Sequence, residues 1–141
     1  MLKKFKNQIN NEKGLTLIEL LAVIVILAII AAIAVPAIGN VINNSKDRAI
    51  LAETSNILSG AKIAMTDGAC GGAGGTTTPT ICELGELSDY VEGIKSGTYQ
   101  AEKKTTGWEV TYSKLGDINN SKYQPTSNTV TETNLNVLLA K

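Results

Sequence analysis

The hydrophobic pattern of this chain is dominated by one uninterrupted apolar run. From Leu20 to Ile38, nineteen consecutive residues carry neither a charge nor a polar side chain. At ~1.5 Å per residue this run spans about 28 Å, close to the ~30 Å hydrocarbon core of a bilayer. A helix that is apolar on every side requires lipid or a fully buried environment. Because no glycine lies between Leu15 and Gly39, the pattern predicts one long helix from Leu15 to about Thr66.

Beyond Gly39 the pattern becomes amphipathic. Apolar residues recur at spacings of three, four and seven positions: Ile42, Ala49, Ile50, Ile57, Ala61 and Ala64. Polar residues lie between them: Asn40, Asn43, Lys46, Asp47, Glu53 and Lys62. This periodicity is typical of a helix with a narrow apolar stripe. The C-terminal part, roughly seventy residues from Gly68, is too small to bury a large core alone, so we expect a head that packs on this stripe.

Two residues could interrupt the helix. Pro36 lacks a backbone N–H and clashes with the carbonyl four residues before it, which predicts a kink or a loosened turn near Ala32. Gly39 adds conformational freedom nearby. The alternative is that Pro36 is simply tolerated, as prolines often are in membrane helices. The residues alone leave both interpretations open.

After the helix, the composition changes to that of a small mixed head. Asp67 and Gly68 indicate a helix end, and the segment from Cys70 to Pro79, rich in glycine and threonine, indicates a loop. A short helix is predicted from about Glu83 to Glu92. Its apolar residues would share one side: Leu84, Leu87 and Val91.

Alternation at every second position then predicts a β-hairpin. Tyr99 and Ala101 alternate with polar neighbours before a turn at 105–107. After the turn, three apolar residues alternate with polar ones: Trp108, Val110 and Tyr112. The pattern is that of an antiparallel pair with one buried face.

The last segment allows two interpretations. Gly116 to Ser127 is predicted as a loop. Thr129 and Glu132 fit a capping box before a helix that ends near Ala140. The alternating residues of the same segment equally fit a strand: Thr131, Thr133, Leu135, Val137 and Leu139. We favour the helix.

Charge is unevenly distributed, although the chain as a whole is neutral. Residues 1–14 hold four lysines against one glutamate, a net charge of +3, and the remainder carries −3. A basic segment before an apolar run keeps its start in the cytoplasm. No basic patch for nucleic acid is evident. The chain has no histidine, and two cysteines cannot complete a zinc site unaided, so we expect no catalytic residue, metal or cofactor.

Residues 13–19, Lys-Gly-Leu-Thr-Leu-Ile-Glu, stand directly before the apolar run and resemble the class III signal of type IV prepilins. The features that carry the resemblance are a basic leader, Gly14 before the presumed cut, Glu19 at the fifth position after it, and an unbroken membrane span. Pro36, at the twenty-second position after the cut, also matches. The resemblance covers about residues 10–65. Leu15 is a departure, because the family usually has phenylalanine there.

The resemblance implies a fold and a mode of processing. The fold would be α+β, a long N-terminal helix with a small antiparallel β head on its C-terminal half. Prepilin peptidase would cut between Gly14 and Leu15 on the cytoplasmic face and methylate the new amine of Leu15. Subunits would wait in the cytoplasmic membrane and then be drawn into a helical homopolymer by a pilus assembly platform and its ATPase. In the family, the helix melts locally around Pro36 in the fibre.

Glu19 has a physical interpretation that fits this scheme. A carboxylate inside a membrane segment costs a few kcal/mol by insertion scales, so it should have a partner. In the family, the acid at this position neutralises the new amine of a neighbouring subunit, and a misaligned subunit would leave a charge unpaired. The alternative is that Glu19 lies at the membrane interface and reaches water.

Cys70 and Cys82 lie on the exported side if the leader stays inside. An oxidising environment favours a disulfide that closes the Gly-rich loop, whereas a reducing one would leave two free thiols. We favour the disulfide.

Together these inferences divide the chain into a leader (1–14), a membrane or fibre-core helix (15–38), an amphipathic helix half (39–67) and an extracellular head (68–141). The favoured function is a structural pilus subunit, first in the bacterial cytoplasmic membrane and then in a cell-surface pilus. The alternatives are a pseudopilin of a type II secretion or competence DNA-uptake apparatus, and a membrane-anchored binding domain that never polymerises. An ordinary secreted protein cut after Ala34 is disfavoured by Glu19.

Overall fold

The computed structural model describes the backbone of residues 2–70, 80–94 and 96–141, and the side chains of this range from residue 16 onward. The chain forms two compact units, Met1–Val41 and Ile42–Lys141. Helix α1 (Leu2–Thr66) begins in the first unit and ends in the second. The predicted end at Thr66 is confirmed. The predicted start at Leu15 is wrong, because the preceding residues contain no proline and a single glycine costs a helix only ~1 kcal/mol.

The end of α1 is fixed by a glycine with left-handed backbone. Gly68 has φ +76°, the conformation that glycine adopts without a steric penalty. The N–H of Ala69 donates to the carbonyl of Ala64 (2.8 Å), and that of Gly68 donates to Met65 (3.2 Å). This pair of bonds is the Schellman motif, which satisfies carbonyls that the helix leaves free.

The second unit contains a four-stranded antiparallel sheet in the order β1-β2-β3-β4. Its strands are β1 (Thr80–Glu83), β2 (Tyr99–Lys104), β3 (Gly107–Tyr112) and β4 (Thr129–Thr131). Helix α2 (Leu84–Leu87) follows β1, a 3-10 helix (Ser113–Asp117) follows β3, and helix α3 (Glu132–Leu139) follows β4. The predicted α+β class, with a long helix and a small antiparallel head, is confirmed.

One row of side chains runs across the sheet and forms the centre of the core. In the register of the paired strands, Cys82 lies opposite Ala101, Ala101 opposite Val110, and Val110 opposite Val130. All four are buried. The small side chain of Ala101 sits in the middle of this row, and Cys82 Sγ lies 3.9 Å from the Ala61 carbonyl oxygen of α1. The sheet therefore packs closely on the second half of the helix.

The buried stripe of α1 differs in part from the predicted one. Ile57, Ala61 and Ala64 are buried, as predicted. Ile42 is 47% exposed and Ala49 is also exposed, so these two predictions are wrong. The buried residues follow a neighbouring line of the helix at spacings of three and four: Asp47, Leu51, Thr54, Leu58 and Ala61. Two polar residues lie on that line, and periodicity of apolar residues alone therefore missed it.

Several elements of the head differ in extent from their predicted bounds. The hairpin is confirmed as β2 and β3. The predicted helix from Glu83 to Glu92 is wrong, because residues 80–83 pair with β2 as strand β1 and only Leu84–Leu87 are helical. The C-terminal segment combines both interpretations, a short strand followed by a helix. Its cap is Thr131, whose side chain accepts the N–H of Asn134, rather than the predicted Thr129.

Candidate processing and assembly site

The first half of α1 presents a continuous apolar surface. Its large apolar side chains between Leu17 and Ile38 are 48–71% exposed. One helix in the described part of the chain, Thr16–Thr66, is long and apolar enough to cross a membrane, and its most apolar stretch is not buried against the rest of the molecule. This surface therefore requires an apolar partner outside the chain, either lipid or other protein.

Glu19 is the single charged residue between Thr16 and Ile38. It lies in α1 and is exposed. Gly14 and Leu15, the predicted cleavage and methylation positions, lie in the helical backbone of α1, but the Leu15 side chain falls outside the described residues. The geometry of a pairing between Glu19 and the Leu15 amine of another copy therefore stays a prediction.

Pro36 does not end or interrupt the helix. Helix α1 continues through Ala32, Pro36 and Gly39. This continuity agrees with the interpretation that the proline is tolerated in a membrane helix. Any role of Pro36 in local melting within a fibre remains a prediction.

The head is anchored on α1 by a buried acid that sequence reasoning placed among the polar positions. Asp47 is only 2% exposed. Its two carboxylate oxygens accept the backbone N–H groups of Asn119 (3.2 Å) and Asn120 (2.9 Å). One turn earlier, Asn44 Oδ1 accepts the side-chain amide of Asn120 at 2.7 Å. These contacts hold the loop before β4 against the helix, and hydrogen bonding to N–H groups compensates the buried carboxylate. The position of Asp47, four residues before Leu51, is the signal that could have identified it.

A second anchor joins Tyr112 of β3 to α1. The Tyr112 hydroxyl donates to Glu53 Oε2 at 2.6 Å and lies 3.2 Å from the Ser96 carbonyl oxygen. Tyr112 is fully buried. Burial raises the pKa of this phenol far above its ordinary value, and the hydrogen bond to the Glu53 carboxylate raises it further.

Two further polar contacts tie the head to the helix. Asn56 Nδ2 donates to the Glu92 carbonyl oxygen at 2.8 Å, and the ammonium of Lys62 pairs with Glu132 at the start of α3. The latter pair is partly exposed, so its contribution to stability is small.

Cys70 and Cys82 form a disulfide, with their Cα atoms 4.9 Å apart. Cys70 lies four residues after the end of α1, and Cys82 lies in β1. Both side chains are buried. The bond therefore joins the C-terminal end of the helix directly to an edge strand of the sheet.

Comparison with known families identifies one segment. The family described as the prokaryotic N-terminal methylation motif matches residues 9–35. This segment includes Gly14, Leu15 and Glu19 and ends just before Pro36, and the family resemblance inferred from the sequence is thereby confirmed for it. A search of curated proteins and a search of solved structures found no match. The match does not extend to the head.

Proposed function

We propose that this chain is the structural subunit of a type IV pilus, cut after Gly14 by prepilin peptidase and N-methylated at Leu15. The observation that carries the proposal is the methylation motif at residues 9–35, joined to an exposed apolar helix in which Glu19 is the one charge between Thr16 and Ile38. A pilin keeps this helix after the cut, whereas an ordinary secreted protein loses its apolar segment.

The apolar half of α1 suits both stages of the proposed function, the membrane stage and the fibre stage. Before assembly, the lipid bilayer covers this surface and holds the subunit as a single-pass protein of the cytoplasmic membrane. After assembly, the same surface of neighbouring copies covers it, because burial of apolar area against protein replaces burial in lipid. The role is structural and non-enzymatic.

In the proposed fibre, the charge of Glu19 aligns each subunit with its neighbour. Cleavage after Gly14 creates a positive amine on Leu15, and Glu19 of a neighbouring copy neutralises it in the dry fibre core. Removal of one partner from such a buried pair leaves an uncompensated charge, which is strongly unfavourable. A subunit out of register is therefore disfavoured. The peptidase, the assembly platform with its ATPase, and further copies of the chain are the partners of this scheme.

A pseudopilin of a secretion or DNA-uptake apparatus shares the same N-terminal chemistry and differs in fibre length and machinery. A membrane-anchored domain that does not polymerise would keep the anchor and lose the pairing. The length and location of fibres in the native host distinguish the three functions.

The experiment that tests the proposal has two readouts on the native host. Intact mass and N-terminal sequencing of the membrane-extracted chain should give a start at Leu15 with one added methyl. Electron microscopy of sheared cell-surface material should show long fibres that contain the same chain. A start at Val35 would overturn the proposal in favour of ordinary secretion. Correct processing without long surface fibres would favour the pseudopilin or the anchored domain.

A further inference from the structure

A groove runs along the outside of α1 within the second unit. Its floor is one face of the helix, formed by small side chains that include Ala49, Ala52 and Ser59, and its wall is the turn at Glu92 and Gly93. The groove has a volume of about 440 Å³. The bond from Asn56 to the Glu92 carbonyl oxygen fixes the wall against the floor. Because the floor carries short side chains, a neighbouring element can approach the helix closely here.

Among the residues that the structure describes, the charges that line this groove are negative. Glu53 and Glu92 line it, and no described lysine or arginine does. The Glu53 carboxylate accepts the Tyr112 hydroxyl, but neither glutamate is part of an ion pair within the residues that the structure describes. The groove thus offers two carboxylates to a cation from outside.

A matching cation lies on the same helix. Arg48, the single arginine of the chain, is exposed and forms no ion pair among the described residues. The positions three and four residues away from it on either side are Ser45, Asn44, Leu51 and Ala52, none of them acidic. Glu53 is five residues away, about 140° around the helix, so Arg48 does not face the Glu53 of its own chain.

We propose that the groove receives Arg48 of a second copy of this chain, and that this ion pair is a lateral contact of the fibre. The inference rests on the proposed function. A parallel copy shifted by five residues, about 7.5 Å along the helix, brings its Arg48 level with Glu53, and a shift of eight residues, ~12 Å, brings it level with Asn56 beside the groove wall. In sequence Glu53 follows Arg48 by five residues and Glu19 follows Leu15 by four, so the pairing with Glu53 requires a stagger similar to that of the Leu15–Glu19 pair and in the same direction. The pairing with Glu92, which lies beside Asn56, requires about twice that stagger.

This contact is heterologous, because the groove of one copy meets a different surface of the next. Heterologous contacts do not pair off into closed dimers, and they generate open helical filaments when the rotation between copies does not close. Pairing of opposite charges also sets register and disfavours misplaced neighbours. The groove and Arg48 therefore define the partner as another copy in parallel orientation.

Charge reversal in the native host tests the pairing. Arg48→Glu and Glu92→Arg should each lower the yield of sheared fibres by about tenfold or more, since each places like charges opposite one another. The double variant should recover most of the yield. Lys103→Glu, the same change of charge at an exposed position of β2, is the matched control and should leave the yield unchanged. Glu53 stays unaltered because it supports Tyr112.

A second measurement separates loss of contact from loss of fold. Arg48→Cys combined with Glu92→Cys should give a disulfide-linked ladder of subunits in fibres, and monomers in the membrane pool. Wild-type yield from Arg48→Glu, or a double variant no better than the single ones, would overturn the pairing while the unaltered chain still forms fibres. Absence of fibres from the unaltered chain would overturn the proposed function, and the pairing with it.

Discussion

Gly60 lies where α1 rests directly against the turn after α2. A Cβ atom at this position would lie 2.4 Å from Val91 Cγ2 and 2.8 Å from the Tyr90 carbonyl oxygen. Side-chain carbons do not approach backbone oxygen this closely, so the lack of a side chain at Gly60 allows the turn after α2 to rest on the helix.

Gly60→Ala should therefore destabilise the head. Alanine favours a helix over glycine by ~1 kcal/mol, but overpacking costs about 1–3 kcal/mol, and one of the close neighbours is a backbone carbonyl rather than the end of a flexible side chain. The measurement is urea unfolding in detergent, followed by the fluorescence of Trp108, the single tryptophan. Gly39→Ala is the control, since nothing lies within 4 Å of a Cβ there. An unchanged or raised midpoint for Gly60→Ala would contradict the close approach.

The buried Tyr112 predicts a loss of stability at alkaline pH. Its pKa in the folded head is raised by burial and by Glu53, while in the unfolded chain it ionises near the ordinary ~10. The stabilisation is complete below pH ~10 and declines above it, with a slope of up to about 1.4 kcal/mol per pH unit. Tyr112→Phe should remove this part of the slope. The test is the free energy of unfolding at several pH values, and equal slopes in both proteins would refute the prediction.

Glu19→Ala should separate processing from assembly. The cut lies five residues before Glu19, at Gly14, so the variant should still start at Leu15 by intact mass. Fibre yield should fall about tenfold or more, because the Leu15 amine of each subunit would be buried without its counter-charge. Glu19→Asp keeps the charge and should retain part of the yield. Normal yield from the alanine variant would exclude the pairing role.

At the scale of single residues, the sequence predicts the role of a residue when that role depends on residues close to it in the chain. The alternation of Trp108, Val110 and Tyr112 was sufficient to predict the hairpin. The role of Asp47 was missed because it depends on N–H groups 72 and 73 residues away. No local pattern encodes such a contact.

The helices and strands show the same difference between local patterns, which were predicted, and contacts distant in sequence, which were not. The end of helix α1 at Thr66 was predicted correctly, because the Asp67-Gly68 end signal is local, whereas its start was placed at Leu15 and the helix begins at Leu2. Strand β1 was missed, because its four residues become a strand only through pairing with β2. The last segment, from Thr129 to about Ala140, was ambiguous for the same reason, since its first three residues pair with β3 and the next eight are helical.

The disulfide links two elements of the molecule, α1 and β1, and its removal tests how much this link stabilises the head. Replacing both Cys70 and Cys82 by alanine should destabilise the head by about 3 kcal/mol, because the bond closes a loop of 12 residues and restricts the unfolded chain. The readout is again Trp108 fluorescence in urea. Because both sulfur atoms are buried, the folded wild-type protein should also resist reduction until it unfolds. An unchanged midpoint in the double variant would contradict the stabilising role.

The whole molecule consists of two units with different requirements. The buried core of the described residues lies entirely within 42–141, whereas the large apolar side chains of 16–41 are exposed. We therefore expect the head to keep its fold whether lipid or, in the proposed fibre, other copies of the chain cover the N-terminal unit.

A fragment of residues 42–141 should accordingly fold as a soluble monomer. It retains the anchors of the head on α1, including Asp47 and Tyr112, and it lacks the apolar surface that needs lipid. Sedimentation and a cooperative thermal transition are the measurements, with the full chain in detergent as the comparison. Aggregation of the fragment, or a transition far below that of the head in the full chain, would show that the first unit contributes to the fold of the second.

The disulfide between the end of α1 and β1 also has a mechanical consequence. A tensile load applied to the N-terminal helix reaches the head through the noncovalent anchors at Asp47, Glu53 and Asn56 and, along the covalent chain, through residues 66–70. The disulfide carries the covalent part of that load directly to Cys82 in the sheet, so the load bypasses the residues between the two cysteines. Without the link, a chain of that length could extend by up to about 40 Å before the sheet came under tension. The cross-link therefore lets tension pass from α1 to the sheet without extension between Cys70 and Cys82.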